Sequence, residues 1–347
     1  MTFKEETPMT DLISIILPVY NCNQWLTDTI KSVQKQTYSN FELICVDDGS
    51  TDHSLEIIKR IMASDHRIKL ICEENLGLCY ARNNGVSYAR GSYIAFLDGD
   101  DLYASDFLQA NYDAIKKYKA DVSMVNIIQN DGTNEFLWRD IKVMGNNTEV
   151  FNEYAEGNIC NRVWNKLYRS ELVKKVPFPE DHQYVEDAQW TPRIMEEVNR
   201  MVRIPKGYYH YIIHQGSLSY RNSRDSKWKK RLTEYVVNVL EGNTVILKYT
   251  TSKDGRQKKL RDTIEIIILG LNNQIDFNAH NLYKKISELI IENPDIYNIT
   301  TSSQRLMMEG FDKGLVIEQI KRKYYGDLLF HGESLHERLR AVKHLIK

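Results

Sequence analysis

The residues best suited to chemistry lie where an apolar run, IAFL, ends in Asp98, Asp100 and Asp101 around Gly99. Neighbouring carboxylates repel one another, and a divalent cation relieves that repulsion. Mg²⁺ typically takes one or two carboxylates together with phosphate oxygens of a substrate, and a glycine allows close backbone approach. The segment therefore predicts a cation site that holds a phosphate. An acidic turn before a helix would have the same composition, so both interpretations are open at this point.

Two further pairs of acids stand in similar settings. Asp47 and Asp48 end the strand-like run FELICVDD, and Glu186 and Asp187 begin a helix-like segment that contains Trp190. Adjacent acids beside apolar side chains can have a raised pKa, which makes a carboxylate a better general base. The alternatives are structural: Asp47 as a helix N-cap, and Glu186 with Asp187 as an acidic helix start that suits the macrodipole.

Strand-like and helix-like segments alternate through the first 128 residues and would position these acids. The expected strands are 12–20, 41–48, 68–74, 93–100 and 120–128, and the expected helices between them are 24–36, 52–63, 77–89 and 105–119. This alternation predicts an α/β fold with an open, mostly parallel sheet and right-handed crossovers. Ligands bind beyond the carboxyl ends of such strands, which is where Asp47, Asp48 and the acids of residues 98–101 would lie.

The pattern changes after residue 128. Strands are expected at 135–144 and 207–214 and a helix at 186–198, whereas from about Arg221 apolar residues recur at helical spacing. Residues 221–347 carry 23 Lys and Arg against 16 Asp and Glu, although the whole chain has a net charge of −1. We therefore expect two domains, residues 1–220 and a mainly α-helical region at 221–347.

The composition is that of a soluble globular protein, with 42% hydrophobic and 27% charged residues. The N-terminal segment is polar, and the longest apolar stretch, IEIIILGL, contains Glu265 and is too short to cross a bilayer. Five cysteines without a CxxC pair indicate reduced thiols. Together these features predict a cytoplasmic protein.

Six short motifs follow one another in order: SIILPVYN (14–21), ICVDDGSTD (44–52), ENLGLCYARNNG (74–85), IAFLDGDD (94–101), WNKLY (164–168) and YVEDAQW (184–190). The ordered set closely resembles the family 2 nucleotide-sugar glycosyltransferases, over roughly residues 12–220. The resemblance implies the GT-A fold, a Rossmann-like open sheet with helices on both faces. It also implies metal-dependent, inverting transfer of a sugar from a UDP-sugar to a hydroxyl of a glycan or lipid-linked glycan. The expected setting is bacterial cell-surface polysaccharide biosynthesis, of the capsule or lipopolysaccharide type.

The same resemblance assigns roles to individual residues. The nucleotide pocket would comprise Pro18, Val19, Tyr20, Asp47, Asn75, Arg82, Asp98 and Gly99. Asp47 would accept a hydrogen bond from the uracil imide, and Asp98 would contact the ribose. The metal, Mn²⁺ or Mg²⁺, would be held by Asp100, with His210 or His214 completing its ligands.

The resemblance also places the acceptor side of the reaction. Asp187 would be the general base with Glu186 supporting it, and Trp164 and Lys166 would contact the acceptor or the phosphates. A lysine that closes a strand is an alternative for Lys166. The chain departs from the family at Ile212 and His214, where arginines are common, so a core or interface role is open for the histidines.

Residues 321–347 form a basic segment, with seven Lys and Arg against three Asp and Glu. Leu335, Leu339 and Val342 are spaced for one face of an amphipathic helix, which can lie peripherally on an anionic membrane. Packing on the domain or on a second copy of the chain, as a homo-oligomer, is the alternative. No nucleic-acid-binding module accompanies the charge, so no nucleic-acid partner is expected.

Two other functions compete with sugar transfer. A nucleotidyltransferase on a related sheet would use a glycine-rich phosphate loop near the N-terminus, and LPVYNCNQWL contains none. A catalytically inactive partner protein that binds a nucleotide-sugar is the second alternative. The presence of both Asp100 and Asp187 argues against that alternative.

Overall fold

In a computed structural model of the chain, the described residues form a ten-stranded sheet and eleven helices. The described residues are 9–130, 134–135, 137–180, 184–214, 228–273, 275, 282–294 and 296–300. The strands are β1 (Met9–Val19), β2 (Phe41–Asp48), β3 (Ile68–Glu73), β4 (Gly91–Phe96), β5 (Leu102–Tyr103), β6 (Val122–Gln129), β7 (Asn134–Glu135), β8 (Lys142–Met144), β9 (Lys166–Arg169) and β10 (Met201–Tyr211). The helices are α1 (Leu26–Gln34), α2 (Ser54–Met62), α3 (Leu78–Tyr88), α4 (Phe107–Tyr118), α5 (Asn147–Ala155), α6 (Ser170–Lys175), α7 (Asp187–Met195), α8 (Trp228–Tyr249), α9 (Lys253–Asn272), α10 (Leu282–Glu292) and α11 (Ile296–Ile299).

The sheet order is β3-β2-β1-β4-β9-β6-β10-β5, with β7 beside β6 and β8 beside β10. Neighbours among β3, β2, β1 and β4 are parallel, as are β6 and β10, but β9 runs antiparallel between β4 and β6. The expected α/β fold is confirmed, and its sheet is mixed rather than mostly parallel. β9 follows β8 and α5, so no βαβ crossover forces it to run parallel to a neighbour.

The register of the parallel strands gathers their carboxyl ends at one edge. Val19 lies opposite Asp47 in the β1–β2 pair, and Ile16 lies opposite Phe96 in the β1–β4 pair. All eight residues of β2 are buried, as expected for a strand covered on both faces of the sheet. The acids that follow β2 and β4 are therefore presented side by side at the same edge of the sheet.

Helix α3 approaches the sheet closely at Gly85. A Cβ at this position would lie 2.6 Å from Cγ2 of Ile16 and 3.1 Å from Cγ2 of Val46. A larger residue would push the helix away from β1 and β2, so glycine sets the distance between helix and sheet. The close packing brings Arg82, one turn earlier in α3, to the ends of the strands.

The expected strand at 135–144 is only partly present. Among the described residues of this range, strand structure is limited to β7 and β8, and between them the side chain of Asn126 bonds to the backbone of Trp138. Its Nδ2 donates to the Trp138 carbonyl at 3.1 Å, and its Oδ1 accepts from the Trp138 amide at 3.0 Å. The expected strand at 207–214 is confirmed as a longer element, β10, which begins at Met201 and ends at Tyr211.

The chain divides into two compact units, one within Met1–Phe151 and Cys160–Ser223 and the other within Asn152–Ile159 and Arg224–Lys347. The second unit contains α8–α11, whose buried apolar residues form a core that includes Leu240, Ile264, Ile267 and Leu289. Among the described helices, none is both long enough and apolar enough to cross a bilayer. The basic segment 321–347, for which membrane contact is expected, lies outside the described residues.

Candidate functional site

The predicted nucleotide pocket would lie at the ends of β1 and β2, where one buried acceptor has no hydrogen-bond partner in the described part of the chain. Asp47 is 3% exposed, and its Oδ1 accepts no hydrogen bond from any described residue. Val19 is its partner in the β1–β2 pair, Pro18 before Val19 is buried, and Tyr20 after Val19 is 51% exposed. Leaving a buried carboxylate oxygen unsatisfied costs stability, so the position suits an N–H group of a ligand.

Asp48 shapes the loop that borders this pocket. Its carboxylate accepts hydrogen bonds from the amides of Leu76 at 2.7 Å and Gly77 at 2.9 Å. Burial raises the pKa of Asp48, and these two amides oppose the rise. Gly77 has a φ of +98°, which glycine adopts without strain, and it immediately precedes α3. The bonds fix the loop so that Asn75 is exposed beside the pocket.

Arg82 joins two acids that are far apart in the chain. It is 2% exposed, and its guanidinium donates to Asp98 at 3.1 Å and forms a second, short ion pair with Glu186. The acid that follows β4 and the acid that precedes α7 therefore lie on either side of one buried cation. The resemblance predicts Arg82 in the nucleotide pocket, and the structure places it between that pocket and the Glu186–Asp187 pair.

Glu186 and Asp187 both have a raised pKa. Burial is the main cause for each, and it brings the pKa of Glu186 to about 7 while the positive charge of Arg82 opposes the rise. Asp187 is partly exposed at the first position of α7, near the positive charges of Arg162 and Lys166. A partly exposed carboxylate with a raised pKa can take a proton from a ligand hydroxyl. Sequence reasoning did not single out Arg162, which no motif marks.

The backbone that leads into this pair is strained. Val185 has a φ of +58°, a conformation that β-branched residues rarely adopt. Such strain costs on the order of 1–3 kcal/mol and tends to persist at functional sites. The residue in this conformation immediately precedes Glu186 and Asp187.

Asp100 and His214 meet in the structure. His214 Nε2 lies 2.9 Å from Oδ2 of Asp100, and the imidazole stacks on Trp25 with ring centroids 3.8 Å apart. Burial and the negative charge of Asp98 raise the pKa of Asp100, and His214 opposes the rise. A divalent cation would relieve the repulsion between the two carboxylates, so the donor set fits Mg²⁺ or Mn²⁺ with substrate oxygens filling the other positions. Within the described part of the chain, no three His, Cys, Asp or Glu side chains form a ready-made metal centre.

Gly99 and Asp101 hold this turn in place. A Cβ on Gly99 would lie 2.8 Å from Sγ of Cys22, so the turn packs directly against the segment after β1. Asp101 is 1% exposed and accepts from the Tyr209 hydroxyl at 2.7 Å and the Ile212 amide at 2.8 Å. These bonds tie the end of β10 to the acidic turn. Asp101 therefore helps to position the segment that carries His214.

The structure separates the two histidines. Tyr209 and Tyr211 lie on the face of β10 that packs on Trp164, and His210 points to the opposite face, because successive strand side chains alternate. His210 lines a cavity beside α1 that none of the acids Asp98, Asp100 and Asp101 lines. Burial lowers its pKa. Of the two histidines predicted as metal ligands, the structure brings His214, and not His210, to Asp100.

Lys166 and Trp164, which the resemblance predicts to contact the acceptor or the phosphates, both make contacts within the protein. Lys166 is fully buried, and its ammonium donates to the carbonyls of Cys160 and Arg162 and to Oδ1 of Asn165. All three donors are used within the loop, which leaves none for a phosphate. Trp164 is 5% exposed and stacks on Tyr209 with centroids 3.9 Å apart. Both residues build the loop that carries Arg162.

We expect Lys166→Met to lower the free energy of unfolding by about 3 kcal/mol, because it leaves buried acceptors without their donor. Lys174→Met is the matched control, since Lys174 is exposed and donates to one carbonyl, that of Ala89. The control should lose less than about 1 kcal/mol. Chemical denaturation of both variants measures the difference. A Lys166→Met protein of unchanged stability but weakened ligand binding would support the predicted ligand role.

Residues 14–177 match the family model "Glycosyl transferase family 2". Glycosyltransferase GlyG of Streptococcus pneumoniae is 32% identical over 244 residues, 65% of this chain and 78% of the relative. Glycosyltransferase GlyA of the same organism is 32% identical over 220 residues, 60% of this chain. The match spans 32% of GlyA, so the chain corresponds to only about a third of that relative.

Among solved structures, residues 1–349 of S. aureus TarS in complex with UDP-GlcNAc superpose with a TM-score of 0.64. The superposition covers 92% of this chain and 93% of TarS, at 19% sequence identity. At this identity the likeness establishes a shared fold.

Proposed function

We propose a donor and a mechanism for this chain, which belongs to the family 2 glycosyltransferases and has the GT-A fold. It transfers a sugar from a UDP-sugar to a hydroxyl of a glycan, with inversion, and depends on a divalent cation. The acceptor is a bacterial cell-surface glycan. One observation carries the proposal. The buried guanidinium of Arg82 bridges Asp98, beside the nucleotide pocket, and Glu186, beside the general base.

The pocket at the ends of β1 and β2 supports a uridine nucleotide. The unsatisfied Oδ1 of Asp47 would accept from the imide N–H of uracil, and the exposed ring of Tyr20 would lie beside the base. Asp98 would accept from a ribose hydroxyl. The complex of TarS with UDP-GlcNAc supports a UDP-sugar as donor, because the two chains share a fold over most of their length.

Asp100 and His214 are the residues that would hold the cation, with the carboxylate of Asp98 nearby. A bound Mn²⁺ or Mg²⁺ would supply Lewis-acid stabilisation of the leaving diphosphate. The protein's own contribution is to hold the two carboxylates together, with Gly99 packed on Cys22 and with His214 fixed between Trp25 and Asp100.

Asp187 would accept the proton of the acceptor hydroxyl as that oxygen attacks the anomeric carbon. Its partial exposure gives the acceptor access, and its raised pKa strengthens it as a base. Glu186 is held by Arg82 and fixes the start of α7, so the base keeps its orientation relative to Asp98. The inverted configuration follows from a single displacement on the face opposite the nucleotide.

Calorimetry with UDP, with and without Mn²⁺, followed by a UDP-release assay over common UDP-sugars, tests this function. We expect UDP to bind, Mn²⁺ to strengthen the binding, and at least one UDP-sugar to be turned over. GDP-mannose is the control donor and should give no release. Metal-independent binding without turnover would instead favour a nucleotide-sugar-binding partner protein. Consumption of a nucleoside triphosphate with release of pyrophosphate would favour a nucleotidyltransferase.

A further inference from the structure

A cavity lies beside α1, on the face of β10 to which His210 points. Its volume is about 470 Å³, within the range of roughly 300–1,000 Å³ typical of small-molecule sites. One wall is formed by α1 and the other by residues 102–105, which follow the acidic turn. None of Asp47, Asp98, Asp100 and Asp187 lines it, so it is separate from the residues assigned to the donor and the base.

Two lysines give this cavity its charge. Lys31 and Lys35 are exposed, lie one helical turn apart and both line it. Like charges at this spacing repel one another on a helix. Among the described residues, no carboxylate forms an ion pair with either lysine, and Asp28 is the one acid in the lining. Two cations against one acid leave a net positive charge that an anion would neutralise.

The rest of the lining is uncharged. Leu102 and Tyr103 supply apolar surface, and the Ser105 hydroxyl and the His210 imidazole supply polar groups. Such a lining suits a ligand with an anionic group and a less polar body. Lysine ammoniums bind phosphate as point charges, and two of them one turn apart suit a group that carries more than one negative charge.

We propose that this cavity binds the phosphate group of a phosphate ester. The assignment of the donor residues rests on the proposed function. The position of the cavity relative to those residues indicates which part of a substrate would bind in it. Trp25 precedes α1 and stacks on His214. By helix rise, Lys31 and Lys35 lie about 9 and 15 Å further along α1. The phosphate of an acceptor, or of the headgroup of its lipid carrier, would therefore bind along α1, at a distance from the donor residues.

The test is a calorimetric titration of the full chain with glycerol 3-phosphate, after UDP and Mg²⁺ have been added to occupy the donor site. We expect the Lys31→Gln/Lys35→Gln variant to bind about tenfold more weakly than the wild type. The matched control is Lys59→Gln/Arg60→Gln, which removes two exposed cations from the last turn of α2 and should bind like the wild type. A second variant, Ser105→Trp, keeps both lysines and places a large side chain in the cavity lining, and it should also bind glycerol 3-phosphate more weakly than the wild type.

Vesicles distinguish the source of the phosphate. Binding to phosphatidylglycerol but not phosphatidylcholine vesicles, lost in the Lys31→Gln/Lys35→Gln variant, would identify a lipid headgroup. Binding of glycerol 3-phosphate alone would identify a soluble ester. Equal affinity of wild type and Lys31→Gln/Lys35→Gln, or of wild type and Ser105→Trp, would overturn the proposal. If UDP itself does not bind, the donor assignment fails, and the same variants still test the cavity without it.

Discussion

Asp187→Asn should lower the rate of sugar transfer by about 10²–10⁴-fold, the usual contribution of a general base, while UDP still binds. The amide has nearly the shape of the carboxylate but cannot take a proton from the acceptor hydroxyl. UDP binding should persist because the pocket at Asp47 and the ion pair between Arg82 and Asp98 involve other residues. Steady-state transfer rates and calorimetry with UDP measure the two effects separately.

The matched control for this prediction is Asp254→Asn. Asp254 is an exposed acid in the first turn of α9, as Asp187 is in the first turn of α7. The control loses the same favourable contact with a helix macrodipole and should retain transfer. Wild-type turnover by Asp187→Asn would remove that residue from the mechanism.

The pH dependence supplies an independent readout of the same residue. Transfer requires Asp187 to be deprotonated, so kcat/KM falls as the pH is lowered through its pKa. Burial raises that pKa, so the fall should begin at a higher pH than the ordinary aspartate value of about 3.9 implies. A rate that stays constant down to that pH would contradict the assignment.

Asp100→Asn should remove the gain in UDP affinity that Mn²⁺ provides. Asp100 offers the carboxylate closest to His214, and an amide is a weaker ligand for a hard divalent cation. Loss of an outer-shell partner typically costs roughly 10–100-fold in metal affinity, and we expect a larger loss here. Calorimetry with UDP across a series of Mn²⁺ concentrations measures the effect.

Asp113→Asn is the control for the cation. Asp113 is an exposed acid on α4 whose carboxylate accepts a hydrogen bond from Gln109. The control should keep the full response to Mn²⁺ and the wild-type transfer rate. An Asp100→Asn protein that still binds UDP more tightly with Mn²⁺ would place the cation elsewhere.

The positions of the acids along the strands could be read from the sequence. The apolar runs that end in Asp47 and Asp98 are buried strands, because a continuous apolar run must be covered on both faces. Parallel neighbours then place both strand ends at one edge. The start of α7 at Asp187 was likewise visible, since the helix pattern begins at residue 186.

The contacts that the charged residues make could not be predicted from the sequence. Lys166 follows Asn165 in a motif that reads equally well as a ligand contact or as a strand end. Its burial depends on how the loop 160–165 folds back over its ammonium. Arg82 ion-pairs with Glu186, 104 positions later, and no local pattern encodes such a contact. The choice between His210 and His214 depended on the face of β10 that His210 occupies and on the path of the chain after β10 ends at Tyr211.

The sequence alone determined which segments are strands and helices, and which acids stand at their ends, because these features follow from the spacing of apolar residues over short stretches. Only the tertiary structure decided which charges meet. An ion pair or a buried lysine is set by residues from distant segments, whose contact depends on strand order and register. The direction of β9, which runs antiparallel between β4 and β6, could not be predicted from the sequence either. A strand in either direction would bury its apolar residues equally well.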